Sequence, residues 1–580
     1  MSHPNGVSAR WTRFMHRVHA RLSTRARPAT AFTSMPEPRT IGSFARGRQL
    51  IAGNYLFAGH LVTAPEQSLW EIRVADPVYA QELQGFAWLD DLAAVGDPSA
   101  QARAQDWVWA WIALYGRGSG PGWTPDLTGR RLIRWINHAL FLLRGRDAAQ
   151  SQAFYRSLGQ QTIFLSRRWQ KSASGLPRFE ALTGLIYAGL ALEGMGSHVA
   201  LAVRALDREC RDQVDEQGGI PTRNPEELLE VFTLLTWAAA ALSGAGQSPG
   251  AAHVEAISRI APTLRTLRHS DGGLARFHCG GRGLEGRLDH ALAESQVKTR
   301  QSDGLSMGYA RLSAGRTSII VDASPPPAGR ASVNAHASTL AFELTSGRRP
   351  VIVNCGSGVS FGPDWRRAGR ATPSHSTLSL DGYSSARLGD AGRGWREEQL
   401  VDAPRKVPIQ MSQAPDGQRF QGGHDGFLRT HGLTHARTLE LTFDGRGVVG
   451  EDLLVALDDP AKRRFDRAMD AKSLQGIPLQ IRFHLHPEAD ATLDLGGTAV
   501  SVALKSGEIW IFRHGKGARM TLEPSVFLEK TRLKPRATKQ VVLSGVAMEY
   551  ATRIRWSLTK AQDSSVAIRD LNRDELDMTT

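Results

Sequence analysis

Asn334-Ala-His336-Ala-Ser-Thr-Leu-Ala-Phe-Glu-Leu344, Val351-Ile-Val-Asn354-Cys-Gly356 and Pro373-Ser-His375-Ser-Thr-Leu-Ser-Leu380 decide how this chain is read. Each is a short strand-like run that brings one ligand-type side chain near its start or end. Two of these are imidazoles and one is a carboxamide. Side chains alternate faces along a strand, so each run can aim one polar group at a shared site while its apolar partners enter a core. That arrangement suits a metal or polysaccharide site built on a sheet. Asn354 stands where a metal site prefers a carboxylate.

The surrounding chain has two halves of different period. From about Asp76 to Leu267 the apolar spacing is helical. Trp107, Trp111, Leu114 and Tyr115 recur at helix spacing. The run from Pro125 to Arg144 reads as one helix, with Thr124 as N-cap, Pro125 at its first position and Gly145 just beyond its end. A second helix covers Phe179 to Leu192 and stops at Gly194. A third opens with Asn224 as cap, Pro225 as first residue and Glu227 placed for a capping box. Short Gly-containing loops join these helices, which predicts an antiparallel helical array. Around Met307 the period changes to two. Runs such as Thr317–Asp322, Ser338–Leu344, Ala436–Phe443, Leu479–Leu485 and Arg553–Leu558 predict a stacked antiparallel sandwich. The fold class expected is therefore α+β and multidomain.

A chain of 580 residues is too long for one core. The predicted division is a basic, disordered tail over 1–48, a helical domain over 49–300, a β-sandwich over 301–565 and a polar tail over 566–580. The net charge is +14, and residues 1–48 supply +8 of it through nine Arg against the lone acid Glu37. Such a tail reads as a solvated extension, with an anionic lipid surface or nucleic acid as the other reading. The folded body is only mildly basic, and no nucleic-acid partner is expected. No apolar stretch follows the tail arginines, so no secretory signal is visible, although the Arg-rich, acid-poor make-up resembles a transit peptide. No window is long and apolar enough to predict a transmembrane segment, and Trp237–Leu242 reads as part of a buried helix. Cys210, Cys279 and Cys355 are scattered and odd in number, which supports neither a zinc ribbon nor a disulfide framework. Gly280-Gly-Arg-Gly283 lacks the Lys-Ser/Thr of a phosphate loop, and no HExxH or GxSxG is present.

A helical half followed by Asn334-Ala-His336, Val353-Asn354-Cys-Gly356, Ser374-His375-Ser-Thr-Leu, His424-Asp-Gly-Phe427 and Arg482-Phe-His-Leu-His-Pro487 resembles the heparinase II/III-like family of polysaccharide lyases over roughly residues 100–560. The resemblance implies an incomplete (α/α) toroid, an antiparallel β-sandwich, a cleft between them and an anionic, uronic-acid-containing polysaccharide as partner. It implies β-elimination, in which an enzyme neutralises the carboxylate, removes the C5 proton and protonates the departing oxygen. It also implies a zinc ion held by residues at the positions of His336, Asn354 and His375. An envelope location follows from the family, whereas the absent export signal leaves the cytoplasm open.

Carried onto this sequence, the resemblance makes His138, Arg223 and His336 the catalytic candidates. Asn137, Asn334, Trp365, Arg370, Tyr383 and His424 are the substrate-binding candidates. Three departures stand out. The loop Gly218–Pro225 holds Arg223 and Asn224 where lyases carry a catalytic Tyr. Asn334-x-His336 replaces a His-x-His pair, and Asn354 replaces a carboxylate. The other reading is a non-catalytic glycan-binding or envelope-assembly protein that keeps the fold without the acid/base pair. Other residues have ordinary structural alternatives: Tyr187 as core, His138 as a satisfied core histidine, Asn224 as a cap, and the clustered Trp residues as core or sugar platforms.

Overall fold

A computed structural model describes residues 7–26, 29–34, 37–298, 304–389 and 398–561. The polar tail expected at 566–580, and the expected domain boundary at 300, lie outside these residues. The chain divides into two compact units. The first comprises 1–220, 227–261 and 284–299, and the second comprises 221–226, 262–283 and 300–580. Two short segments from the helical half of the sequence, 221–226 and 262–283, belong to the second unit.

The first unit is helical. Its core is a cluster of rings contributed at helix spacing. Trp88, Trp107, Trp111 and Trp135 are all buried, and Trp111 meets Trp135 edge-on at 5.5 Å. The buried Arg131 guanidinium lies 4.1 Å from the Trp111 ring centre and donates to Gln161 at 2.6 Å. These tryptophans are therefore core. Helices Pro125–Asn137 and Leu176–Ala191 approach closely where Gly129 faces Glu180 and Gly184 faces Gly129. A Cβ on Gly129 would stand 2.2 Å from the Glu180 carbonyl oxygen, so the small residue sets the interhelical distance.

Three expectations change here. The helix expected over Pro125–Arg144 breaks at His138, whose backbone leaves helical geometry at φ −102° and ψ 19°, and resumes over Ala139–Leu143. The tail expected to be disordered forms a helix over Val7–Ser23 and enters a second at Phe44. Its inner face carries Ala20, Ser23 and His16, all buried, which composition alone does not reveal. Helix Pro225–Gly244 is long and apolar enough to cross a membrane, yet Leu228, Val231, Phe232, Leu235 and Ala238 are fully buried, as a core helix requires.

The second unit is an antiparallel β-sandwich. One eight-stranded sheet runs in the order Ile409–Ala414, Gly417–Phe427, Leu433–Thr442, Gly447–Val455, Ala551–Lys560, Ile509–His514, Ala499–Leu504 and Ala489–Asp494. The other runs Arg519–Phe527, Arg536–Ala547, Ile477–Leu485, Arg349–Val353, Phe342–Ser346, Thr317–Asp322 and Tyr309–Ala314, with Leu378–Leu380 also pairing Ile477–Leu485. Strand Leu433–Thr442 alternates buried and part-exposed residues along its whole length, the period-two signature of one face turned to a core. Phe342 and Phe483 from one sheet meet Trp556 from the other at 5.9 and 4.7 Å. The strand expected over Ser338–Leu344 begins only at Phe342, so His336 lies before the strand rather than on it. The His424–Phe427 segment, expected as a loop, is the end of strand Gly417–Phe427 with a register shift.

Polar groups also enter this sandwich. Asp452 is buried and bonded by Arg437 at 2.8 Å, by His435 at 2.8 Å and by the Trp556 indole N–H at 3.0 Å. Burial would raise the Asp452 carboxyl, but Arg437 and His435 more than offset this and hold it ionised. His484 is buried with Ser525 at 2.8 Å, and burial pulls it down to about 4. Burial likewise pushes His424 well below its usual value. In the unfolded chain these imidazoles bind protons near pH 6.5, whereas in the fold they stay neutral. Their contribution to stability is therefore full above pH 6.5 and is lost as pH falls toward 4, by up to about 1.4 kcal/mol per pH unit for each histidine. Thermal unfolding measured between pH 7 and pH 5 is expected to fall with pH, and His484→Gln should flatten part of that slope. An unchanged slope in the variant would contradict a neutral buried His484.

Candidate functional site

The site is assembled in the β unit around Asp322, the last residue of strand Thr317–Asp322. Asp322 has no solvent exposure. Arg223 donates to one of its oxygens at 2.6 Å and Ser338 to the other at 2.6 Å. His278 Nε2 lies 3.6 Å from that second oxygen. Burial alone would raise the carboxyl, but Arg223, then His278 and Ser338, hold it below its ordinary range.

Arg223 is fully engaged. Its Nε donates to the Met307 carbonyl at 3.1 Å. Nη1 donates to Ser324 and Pro325 at 3.3 and 2.8 Å, and Nη2 to Gly308 and Asp322 at 2.9 and 2.6 Å. A guanidinium has five N–H donors, and all five are used. The Tyr309 hydroxyl donates to the Arg223 carbonyl, and the Arg223 guanidinium stacks 4.7 Å from its ring. Burial first, and the nearby acids after it, push this phenol well above its ordinary value despite Arg223. Tyr309 is thus no substitute for the tyrosine missing from the Gly218–Pro225 loop. Arg223, His278, Cys279 and Met307 all adopt positive φ, between 48° and 66°. Such geometry in non-glycine residues persists only where surrounding bonds impose it.

His278 leads to His336. The His336 backbone N–H donates to His278 Nδ1 at 3.1 Å, and the Cys279 N–H donates to His336 Nε2 at 3.2 Å. Each contact fixes a tautomer: a nitrogen that accepts carries no proton, so His278 is protonated on Nε2, facing Asp322, and His336 on Nδ1. Burial pulls both rings down, His278 to about 3 and His336 well below its usual value. The His375 ring lies 5.1 Å from His336 and is pulled to about 3, again first by burial. Gly369 lies near enough to favour its protonated form, yet neither His375 nitrogen makes an aligned hydrogen bond among the described residues. Asn354 accepts from the Ser376 N–H at 3.0 Å, fastening the segment that carries His375 to strand Arg349–Val353.

The sequence-derived set is therefore divided. His336, His375, Asn354 and Arg223 join one buried neighbourhood, together with Asp322, His278, Cys279, Ser338 and Tyr309, which sequence reasoning missed. Asp322 ends a predicted strand, which was the available signal for it. His278 and Cys279 directly precede Gly280-Gly-Arg-Gly283, and no spacing rule marked them as site residues.

Several expected contacts have other roles. Arg370 is buried and donates to the carbonyls of Ala335, Ser332 and Glu398 at 2.8, 2.9 and 2.7 Å, so it clamps backbone rather than facing a glycan. Asn334 accepts from Arg366 at 3.0 Å. His424 is buried and faces His435 at 3.2 Å, which removes it from the substrate-binding set. Tyr383 packs edge-on against His431 at 4.6 Å, while Trp365 is partly exposed on helix Pro363–Gly369. In the helical unit, His138 Nε2 meets Asp90 at 2.9 Å and Thr40 at 3.0 Å. These contacts, made at the residue where the helix breaks, make His138 a satisfied core histidine. Asn137 beside it is buried.

Zinc, implied by the family, needs three or four converging ligands. His336 Nε2 already accepts a backbone N–H, the Asn354 oxygen is held by Ser376, and Asp322 is bonded by Arg223 and Ser338. Among the described residues no group of three His, Cys, Asp or Glu side chains is placed to hold a metal ion. The residues present do not fit a zinc centre.

Comparison with known proteins agrees with this architecture. The family described as heparinase II/III-like, C-terminal, matches residues 296–557. FtsZ-localized protein C of Caulobacter vibrioides is 30% identical over 543 residues, covering 91% of this chain and 89% of the relative. The chain belongs to the heparinase II/III-like family. Among solved structures it is similar to heparinase III, with TM-score 0.68, 12% identity and coverage of 95% of this chain and 90% of that one. It is also similar to a mutant heparan sulfate lyase from Pedobacter heparinus, with TM-score 0.58, 14% identity and coverage of 96% and 89%. At these identities the likeness is one of fold: an incomplete (α/α) toroid followed by a β-sandwich.

Two measurements test this geometry. Arg223→Ala should lower unfolding stability by about 3–5 kcal/mol in denaturant titration, because it leaves the Asp322 carboxylate buried and unpaired. A stable variant would show that Arg223 is available to a ligand. Protein purified without chelator and dialysed should hold clearly sub-stoichiometric zinc by elemental analysis. One tightly held zinc per chain would show that His336 changes tautomer to accept it.

Proposed function

We propose that this chain is a non-cleaving member of the heparinase II/III-like family that keeps the lyase fold as a scaffold for cell-envelope assembly, working where FtsZ marks the division site. The observation that carries this reading is the complete engagement of Arg223. A group that neutralises a substrate carboxylate must have donors to offer, and this guanidinium donates all five to Asp322 and four carbonyls. Three further positions agree with this reading. Tyr309 is buried and bonded, His138 is held by Asp90 and Thr40, and Asn334 stands where an acid/base histidine is expected. The location comes from the relative, whose name places it with FtsZ.

A second reading, elimination on an acidic polysaccharide, is favoured by one observation. His336 and His375 are neutral imidazoles at ring contact, and His336 Nδ1 and both His375 nitrogens lack partners among the described residues. Such a pair has the composition of a proton donor and acceptor.

Incubation with heparan sulfate, chondroitin sulfate and other uronic-acid polysaccharides separates the two. Our reading expects no rise in unsaturated-uronate absorbance, while a fluorescent fusion collects at midcell and disperses when FtsZ is depleted. Absorbance that grows with wild type and disappears in His375→Ala would establish the lyase instead. A diffuse fusion would remove the division-site assignment.

A further inference from the structure

The first described helix, Val7–Ser23, has a surface that neither unit's core uses. Its inner side is docked. His16 packs against Phe164 at 5.9 Å and accepts from Arg168 at 3.2 Å, and Ala20 and Ser23 are fully buried. A Cβ on Gly118 would stand 2.6 Å from the Ala20 carbonyl carbon, so the helix lies tightly on that loop. With one side fixed, the orientation of the other is fixed as well.

That outer side is apolar along one stripe and cationic along the next. Trp11, Phe14, Val18 and Leu22 follow at spacings of three and four residues, which puts them on one face. Trp11, Phe14 and Leu22 are 61%, 52% and 41% exposed, and the Trp11 and Phe14 rings are 5.6 Å apart. Arg10, Arg13, Arg17 and Arg21 repeat at the same spacing on the adjoining face, and all four are exposed. The helix contains no acid. An exposed tryptophan and phenylalanine side by side are unfavourable in water, and in a soluble protein such a patch marks a contact surface.

We infer that this helix lies in the interface of an anionic lipid bilayer, with Trp11, Phe14 and Leu22 below the headgroups and the arginine stripe against lipid phosphates. The chemistry selects this occupant. A basic amphipathic helix with Trp, Phe and Leu on its apolar side is the form that binds in the plane of a membrane surface. Nucleic acid would match the arginines but leave the aromatic stripe in water. A second copy would bring two arginine stripes of like charge together. Trp favours the headgroup level, where its ring is apolar and its N–H is wet. The docked inner face means that the folded helical unit, not a loose peptide, is what the helix would hold at the membrane.

The inference rests on this helix alone and does not require either reading of the β-unit site. Flotation of the full chain with vesicles tests it. Wild type should float with phosphatidylcholine vesicles containing phosphatidylglycerol, stay behind with phosphatidylcholine alone, and lose binding as salt rises. The Trp11→Ser/Phe14→Ser double variant should lower the partition constant about tenfold or more, and Arg10→Gln/Arg13→Gln about as much. Both replace exposed residues, and unchanged thermal unfolding would show that each variant is folded. The inference is overturned if wild type stays unbound on anionic vesicles, if the folded variants float as well as wild type, or if light scattering shows a dimer that the same substitutions dissolve. His336→Ala should float unchanged, so failure of the site reading and failure of the lipid inference are separate results.

Discussion

Asp322 is a carboxylate with no access to water, and the arrangement of the β-unit site follows from holding it there. An unpaired charge at that depth would cost several kcal/mol. Arg223 removes the cost, and its remaining donors bind the carbonyls of Met307, Gly308, Ser324 and Pro325. One ion pair therefore ties the short segment 221–226 to a β-strand and to the proline loop that follows it. His278 is set beside the same carboxylate, and through the His278 ring the backbone of His336 is placed. The positive φ angles of Arg223, His278, Cys279 and Met307 are local strain that this network sustains.

The sequence was most readable where a periodic apolar pattern met a capping or turn residue. Strand Thr317–Asp322 was placed to the residue, and the Asn224 side chain accepts from the Glu226 N–H at 3.0 Å, as a residue opening a helix at Pro225 should. It was least readable where a polar contact from far along the chain decides a local shape. His138 interrupts its helix as its ring bonds Asp90 and Thr40, and neither partner lies within that segment. His424 reads as a turn residue from Asp-Gly-Phe beside it, yet pairing with strand Leu433–Thr442 buries it against His435. The family residues His336, Asn354 and His375 were legible as a set. Their buried partners were not, since Asp322 and His278 join them through sheet pairing and a left-handed turn that no spacing rule encodes.

Arginine has an unusual place in this protein. Arg131, Arg223, Arg370 and Arg437 are all buried, and their guanidinium groups mostly bond backbone carbonyls or a single buried acid. Such groups rigidify loops because a planar fork fixes several carbonyls at once. An arginine that binds a substrate carboxylate must have donors free to face it. Here Arg223 and Arg370, the two cations that sequence reasoning assigned to substrate, face the protein's own backbone. The net positive charge of the chain is consequently a poor guide to the site and a better guide to the first helix, where the arginines are exposed.

The three asparagine and tyrosine departures then form one pattern rather than three accidents. Asn354 has no solvent exposure, and its oxygen accepts the Ser376 N–H. A carboxylate there would need a cation, and Arg223, Arg370 and Arg437 are each engaged elsewhere. A metal would supply the cation, but His336 presents to its surroundings a protonated Nδ1, because Nε2 is held by the Cys279 N–H. A neutral amide is therefore what this site can bury without a metal, and it preserves the bond that positions His375. The absent loop tyrosine and Asn334 are the sequence departures that accompany this change, as the proposed non-cleaving role requires. The site thus joins a tightly bonded part, Asp322 with Arg223 and Ser338, to His336 Nδ1 and both His375 nitrogens, which make no aligned hydrogen bond among the described residues.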